Sequence, residues 1–233
     1  MELLSQAVGP LATNVHVLAD PATREAIAID TATPCLDWVA GRLLERGWRL
    51  RLIVSTHGHW DHIGDNARLQ TWSRDQLQHL AEHGHGLDLT AGTTEAAIAV
   101  HPLDRERLVH PVSLFAPFEV PPSVPAVELA DGGRVRFGSI DLEVLHTPGH
   151  TEGSVCLFAA DEGLLFSGDT LFRAGWGRVD LPGGSAEAMA DSLRRLAGLE
   201  DRVRVLPGHG PTTTIGRERP LLELVARQGR LPA

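Results

Sequence analysis

Thr56-His57-Gly58-His59-Trp60-Asp61-His62-Ile63-Gly64-Asp65 follows directly on the apolar run Leu52-Ile53-Val54. Four potential metal ligands, His57, His59, Asp61 and His62, fall within six consecutive positions. Imidazoles and a carboxylate without cysteine suit borderline cations such as Zn²⁺, Fe or Mn better than thiolate-seeking ones. A single His pair would read as a solvated turn, but an ordered quartet just past a strand-like run reads as a metal site.

Three further segments end apolar runs with a possible ligand. His150 lies in Thr147-Pro148-Gly149-His150-Thr151 after Leu142–His146, and Asp169 lies in Ser167-Gly168-Asp169-Thr170 after Leu164-Leu165-Phe166. His209 lies in Pro207-Gly208-His209-Gly210 after Val203–Leu206. Glycine in each lets the backbone turn sharply at a strand end. Singly, each is an ordinary turn residue. With the quartet they make seven donors, five imidazoles and two carboxylates, enough for two ions sharing one carboxylate.

At 233 residues, 42% of them hydrophobic, the chain has the composition of a soluble globular protein. No apolar run approaches the roughly 18 residues of a membrane span. Met1-Glu2-Leu3-Leu4 lacks the features of a signal peptide, and Cys35 and Cys156 stand far apart. A cytoplasmic location with reduced thiols is expected. The net charge of −9 argues against nucleic-acid binding. The expected partner is a small-molecule substrate, with no nucleic acid and no membrane; oligomeric state stays open. The chain has neither tyrosine nor lysine, so a mechanism needing a phenol or an ε-amine is excluded.

Periodicity predicts strands at Leu11–Ala19, Ala26–Ile29, Leu50–Ser55 and Ala97–Val100 in the first half. Helices are predicted at Pro34–Arg46, ended by Gly47, from Asp65 as cap towards His83, and at Pro102–Leu108. Residues 111–125 are Pro-rich and read as a connecting loop whose Phe115 and Phe118 can cover a pocket. The second half predicts strands at Val127–Leu129, Arg134–Phe137, Leu142–His146, Ser154–Ala159, Leu164–Ser167 and Val203–Leu206. Helices are predicted there at Ser185–Leu196 and Arg217–Arg227. A helix-covered pair of sheets fits this order better than a doubly wound parallel sheet.

With these segments in this order, the sequence resembles the metallo-β-lactamase superfamily along nearly its whole length. The resemblance implies an α+β, four-layer αβ/βα sandwich as a single domain over 1–233, with two divalent ions at one edge. It implies that His57, His59 and His150 bind the first metal, that Asp61, His62 and His209 bind the second, and that Asp169 bridges them. Zinc is the expected metal, with iron or manganese as alternatives. Antibiotic-hydrolysing members commonly place cysteine at a second-site position, and lactonases use a tyrosine; neither feature is present.

Gly168–Phe172, Gly177–Gly184 and Pro207–Gly216 resemble short bacterial glyoxalase II-like hydrolases. Only 24 residues of this sequence follow His209, so the family's C-terminal glutathione-binding helical domain is not expected. Arg178 sits where that family places a basic residue towards a glutathione carboxylate, which a guanidinium can hold bidentately; a surface pair with Asp180 is the other reading. Trp60 and Trp176 read either as walls of an apolar acyl pocket or as core. Residues 70–94, with His79, His83 and His85, resemble a helical insertion that could form a lid. His16, His101, His110 and His146 carry no ligand signal.

The implied function is a binuclear metal-dependent hydrolase, a thioesterase of S-acylglutathione-like thioesters or related esters. Two ions sharing a water make a hydroxide available to attack the carbonyl, with Asp61 as ligand and proton acceptor. The alternative is a mono-iron persulfide dioxygenase on the same scaffold.

Overall fold

The computed structural model describes residues 1–83, 95–112 and 118–232. One six-stranded sheet runs in chain order: β1 (Glu2–Val8), β2 (Thr13–Asp20), β3 (Glu25–Ile29), β4 (Arg49–Val54), β5 (Ala97–Val100) and β6 (Val127–Glu128). The other is built from β7 (Arg134–Phe137), β8 (Ile140–His146), β9 (Val155–Ala159), β10 (Leu164–Gly168), β11 (Arg204–Pro207) and β12 (Thr213–Thr214). The helices are α1 (Leu36–Arg46), α2 (Trp60–Ile63), α3 (Asn66–Arg74), α4 (Gln76–Glu82), α5 (Arg105–Val109), α6 (Ala186–Leu196) and α7 (Ile215–Gln228). A 3₁₀ turn, Pro102–Asp104, precedes α5.

Alternation of side chains along each strand separates three apolar layers. On β3, Ala26 and Ala28 face α1, packing with Val39 and Leu43, while Ile27 and Ile29 face the second sheet. On β10, Leu164 and Phe166 fill the layer between the sheets, and Leu165 turns to Met189 and Leu193 of α6 and Leu222 of α7. The order is therefore helices, sheet, sheet, helices. This is the expected four-layer α+β sandwich.

Parallel pairing needs a crossover. Helix α1 provides it between β3 and β4, and α6 between β10 and β11. Two strand ends carrying ligands, those of β4 and β11, thus share an edge with the ends of their parallel neighbours.

Several local expectations differ from the structure. Strand β1 escaped periodicity because it lies at a sheet edge with most side chains exposed. The predicted helix from Asp65 to His83 divides into α3 and α4 at Asp75. Asp65 makes no side-chain cap to α3; its carboxylate accepts the Cys35 and Leu36 N–H groups at 2.7 and 2.9 Å, capping α1 from another part of the chain.

The expected insertion at 70–94 is described up to residue 83. Gln76 accepts the Leu50 N–H and donates to its carbonyl at 2.6 and 2.9 Å. Leu50 lies near the start of β4, whereas the ligand loop follows its end, so this part of the insertion does not sit where a lid would. His83 is exposed, donating to the His79 carbonyl, and His79 stacks on Trp72. Residues 84–94 with His85, and Phe115 of the Pro-rich loop, lie outside the described residues. Phe118 meets Trp60 edge-to-face at 5.7 Å.

Candidate metal centre

The seven donors converge at one edge of the sandwich, just past the ends of β4, β8, β10 and β11. Three sets of ligand atoms gather within 4.8 Å of one another: His57, His59 and His150; Asp61, His62 and His209; and His57, His62 and Asp169. His59 Nδ1 lies 2.8 Å from His150 Nε2, and His62 Nε2 lies 3.2 Å from His209 Nε2. Asp169 stands between the sets: Oδ2 is 3.4 Å from His150 Nε2 and 3.5 Å from His209 Nε2, and Oδ1 is 3.5 Å from His62 Nε2.

The donors fit cations. His57 Nε2 and Asp169 Oδ1 are buried without a hydrogen-bond partner, which is costly unless a ligand satisfies them. The other ring nitrogen of each Nε2 ligand is already occupied, as metal-bound histidines require. His62 Nδ1 faces Asp30 Oδ2 at 2.9 Å, His150 Nδ1 the Arg178 carbonyl at 2.7 Å, and His209 Nδ1 the Leu11 carbonyl at 3.0 Å. His57 Nδ1 lies 3.2 Å from Thr56 Oγ1, whose proton goes to Asp30. Those contacts assign N–H to Nδ1 and leave the Nε2 lone pairs pointing inward.

The electrostatics divide along the same line. Burial, reinforced by neighbouring histidines, holds His57 well below the usual imidazole range and brings His59 down to about 3. Burial also lowers His150. The first set therefore offers neutral imidazoles, the form that ligates. At the second set burial is outweighed by carboxylates: Asp61, Asp169 and Asp30 raise His62 to about 10, and Asp61 and Asp169 raise His209. Against burial, His62 and His209 hold the Asp61 carboxyl well below its usual range. This half of the site demands positive charge, which a cation supplies in place of protons.

Glycine is required where the loops crowd. A Cβ on Gly208 would collide with Asp169 Oδ1 and approach His62 Cε1 to 2.7 Å. Gly208 also donates to the Gly168 carbonyl at 2.8 Å and accepts from Asn14 N–H at 2.7 Å, fastening the His209 loop to Asp169 and to β2.

Sequence reasoning missed two buried carboxylates. Asp30, just past β3, accepts from Thr56 N–H and Oγ1 at 2.7 Å each, besides His62. An acidic residue ending an apolar strand was the available signal, the same that marks Asp169. Asp104, fully buried, accepts from Gly58 N–H and Thr151 Oγ1 at 2.7 Å and from Gly153 N–H at 3.1 Å. It clasps the His57–His59 loop to the His150 loop. No local pattern announced it, because its partners lie some 46 to 49 positions away. Asp104→Ala is expected to weaken metal binding at His57, His59 and His150 by about 10–100-fold, the scale for outer partners of ligands. Competitive chelator titration checks this; unchanged affinity in a folded variant would assign Asp104 to the fold alone.

The remaining expected site residues divide. Trp60 lines the cavity above the donors. Arg178 lines it too, but its Nε and Nη2 give 2.8 and 2.7 Å bonds to Asp180, whose pKa falls to about 2 through that pairing. Trp176 is not among the cavity's lining residues; it packs with the α6 and α7 cluster. The turn before it explains this: Phe172 N–H bonds Gly175, and Ala174 N–H bonds Glu218 of α7 at 2.8 Å, carrying the indole away.

A two-sheet sandwich with seven His and Asp donors at its edge defines a metallo-hydrolase-type fold. The chain belongs to the metallo-β-lactamase superfamily: the sequence profile described as "Metallo-beta-lactamase superfamily" matches residues 8–209. An uncharacterized protein of Aquifex aeolicus is 35% identical over 91% of each chain. The hydroxyacylglutathione hydrolase of Thermosynechococcus vestitus is 34% identical over 84% of this chain and 62% of its own length. Among solved structures, TTHA1623 in a di-iron-bound form has 32% identity and a TM-score of 0.72, covering 92% of this chain and 96% of that one. ETHE1 from Myxococcus xanthus has 26% identity and a TM-score of 0.74, covering 98% and 88%. The B3 metallo-β-lactamase BLEG-1 has 28% identity and a TM-score of 0.72, covering 93% and 96%. None of the described helices is long and apolar enough to cross a membrane.

Proposed function

We propose that the protein is a binuclear metal-dependent hydrolase of acyl thioesters or related esters. The observation that carries this is the second donor set, Asp61, His62 and His209, assembled beside the first with Asp169 between them. Two divalent cations held there supply a Lewis acid and a water of lowered pKa. Zinc is our choice; iron fits the same donors, and a di-iron neighbour supports that option.

Our candidate proton acceptor is Asp61, at a carboxylate oxygen. It is buried yet held ionised by His62 and His209, and Thr13 Oγ1 donates to its Oδ2 at 3.1 Å. Asp30 keeps His62 in one tautomer throughout. With no tyrosine or lysine in the chain, neither is available to protonate a poor leaving group. A thiolate leaves without strong acid assistance, which supports a thioester over an alkyl ester or amide. The hydroxyacylglutathione hydrolase relative supports the same class.

The similarity to ETHE1 supports the alternative, a mono-iron persulfide dioxygenase, but an intact second set speaks for two metals. The test is a panel of thioesters, including S-lactoylglutathione, with an alkyl ester, a β-lactam and a persulfide, on protein of measured metal content. Thioester turnover is expected to lead, rising with the second metal equivalent. Oxygen uptake on the persulfide, or β-lactam turnover above every thioester, would overturn the proposal.

A further inference from the structure

The cavity above the donors, about 800 Å³, is walled by apolar residues: Leu11, Trp60, Val112, Phe172, Leu181 and Pro182. Single exposed apolar side chains need no explanation, but several gathered in one concavity mark a ligand surface. Two of the wall residues are unusually open for their type, Leu11 at 52% and Val112 at 68% exposure. Leu11 is seated beside the donors, since its carbonyl accepts from His209 Nδ1 at 3.0 Å. Phe172 stands edge-on to the same imidazole at 6.1 Å.

The cations of this wall already have partners. Among the described lining residues the only arginines are Arg107 and Arg178. Arg178 is spread across Asp180 with two bonds. Arg107 gives Nη2 to Glu152 at 3.1 Å and to the Pro182 carbonyl at 2.8 Å, while its Nε lies 3.4 Å from Asp104. A net charge of −9 adds a field that disfavours anionic carriers.

Resting on the thioesterase reading, we infer that the substrate class is a thioester selected by its apolar acyl chain and not by its carrier, glutathione included. The acyl chain lies against Leu11 and Phe172, beside His209. Recognition comes from buried apolar area, and carboxylates on the carrier contribute little.

The experiment compares acetyl and hexanoyl thioesters of N-acetylcysteamine with hexanoylglutathione, on two-metal wild type and on Leu11→Asn. Each methylene fully buried is worth up to about fourfold, so hexanoyl should exceed acetyl by at least about tenfold in kcat/KM even with partial burial. Leu11→Asn should lower that ratio several-fold, its main-chain carbonyl being untouched. Hexanoylglutathione should fall within about threefold of the neutral hexanoyl thioester. Equal rates on both chain lengths would overturn the inference while leaving the thioesterase reading standing. So would a tenfold preference for the glutathione conjugate that Arg178→Ala removes. If no thioester is turned over, that reading fails instead, and calorimetry with octanoate and acetate decides on the pocket: tighter octanoate upholds an apolar acyl site, equal affinities refute it.

Discussion

Asp169→Ala is expected to lose thioester turnover almost completely and to drop metal content below two per chain. Asp169 stands within 3.5 Å of ligand nitrogens from both sets, His150 on one side and His62 and His209 on the other. Its removal should therefore cost more than the roughly 10–100-fold that follows loss of an outer partner. The fold should survive, because the Asp169 main-chain carbonyl still accepts from Gly177 N–H at 3.1 Å. Without metal, Asp169 is a buried counter-charge to His62 and His209, so the metal-free variant should unfold more easily than metal-free wild type. Metal analysis, turnover and denaturant unfolding of both proteins check this. Full two-metal occupancy with undiminished turnover in the variant would remove Asp169 from its bridging place.

Asp30→Ala should damage both stability and metal binding. It strands three buried donors: Thr56 N–H, Thr56 Oγ1–H and His62 Nδ1–H. Each buried unpaired donor costs about 1–3 kcal/mol, so a loss of roughly 3 kcal/mol or more is expected. His62 also loses the acceptor that fixes its tautomer, with an expected fall of about 10–100-fold in second-metal affinity. Asp30→Asn separates the two effects. Asparagine tolerates the left-handed backbone at this position, φ 55°, and can still accept from Thr56 N–H. Its NH₂ cannot accept from His62. Asn should thus recover part of the stability while metal affinity stays low, as thermal unfolding and chelator competition would reveal. Equal recovery of both in Asn would mean that Asp30 does not act through His62.

Much of this site was legible because ligands cluster where apolar runs stop. His57 to His62, His150, Asp169 and His209 each follow such a run, and Gly58, Gly149, Gly168 and Gly208 stand among or before them. Strands β3, β4, β8, β9, β10 and β11 were legible for the same reason, being apolar enough to be buried between layers. Edge strand β1 and the two-residue β12 owe their state to neighbours across the sheet, which periodicity does not record.

Outer partners were opaque for a related reason. Asp65 follows the ligand loop and looks like the cap of the next helix, yet it serves α1, some 30 positions upstream. Asp104 sits in a short 3₁₀ turn and serves the loop after β4 of one sheet and the loop after β8 of the other. Trp176 shows the converse failure. A tryptophan seven positions after Asp169 is taken away by a turn whose anchoring residue, Glu218, belongs to the last helix.

Titration of chelator-treated protein with Zn²⁺, followed by calorimetry and metal analysis, tests the two-metal centre most directly. Two equivalents per chain are predicted for the wild type. One equivalent should remain in His209→Ala, which leaves His57, His59 and His150 intact. A wild type that saturates at one equivalent, unaffected by His209→Ala, would contradict the binuclear assignment.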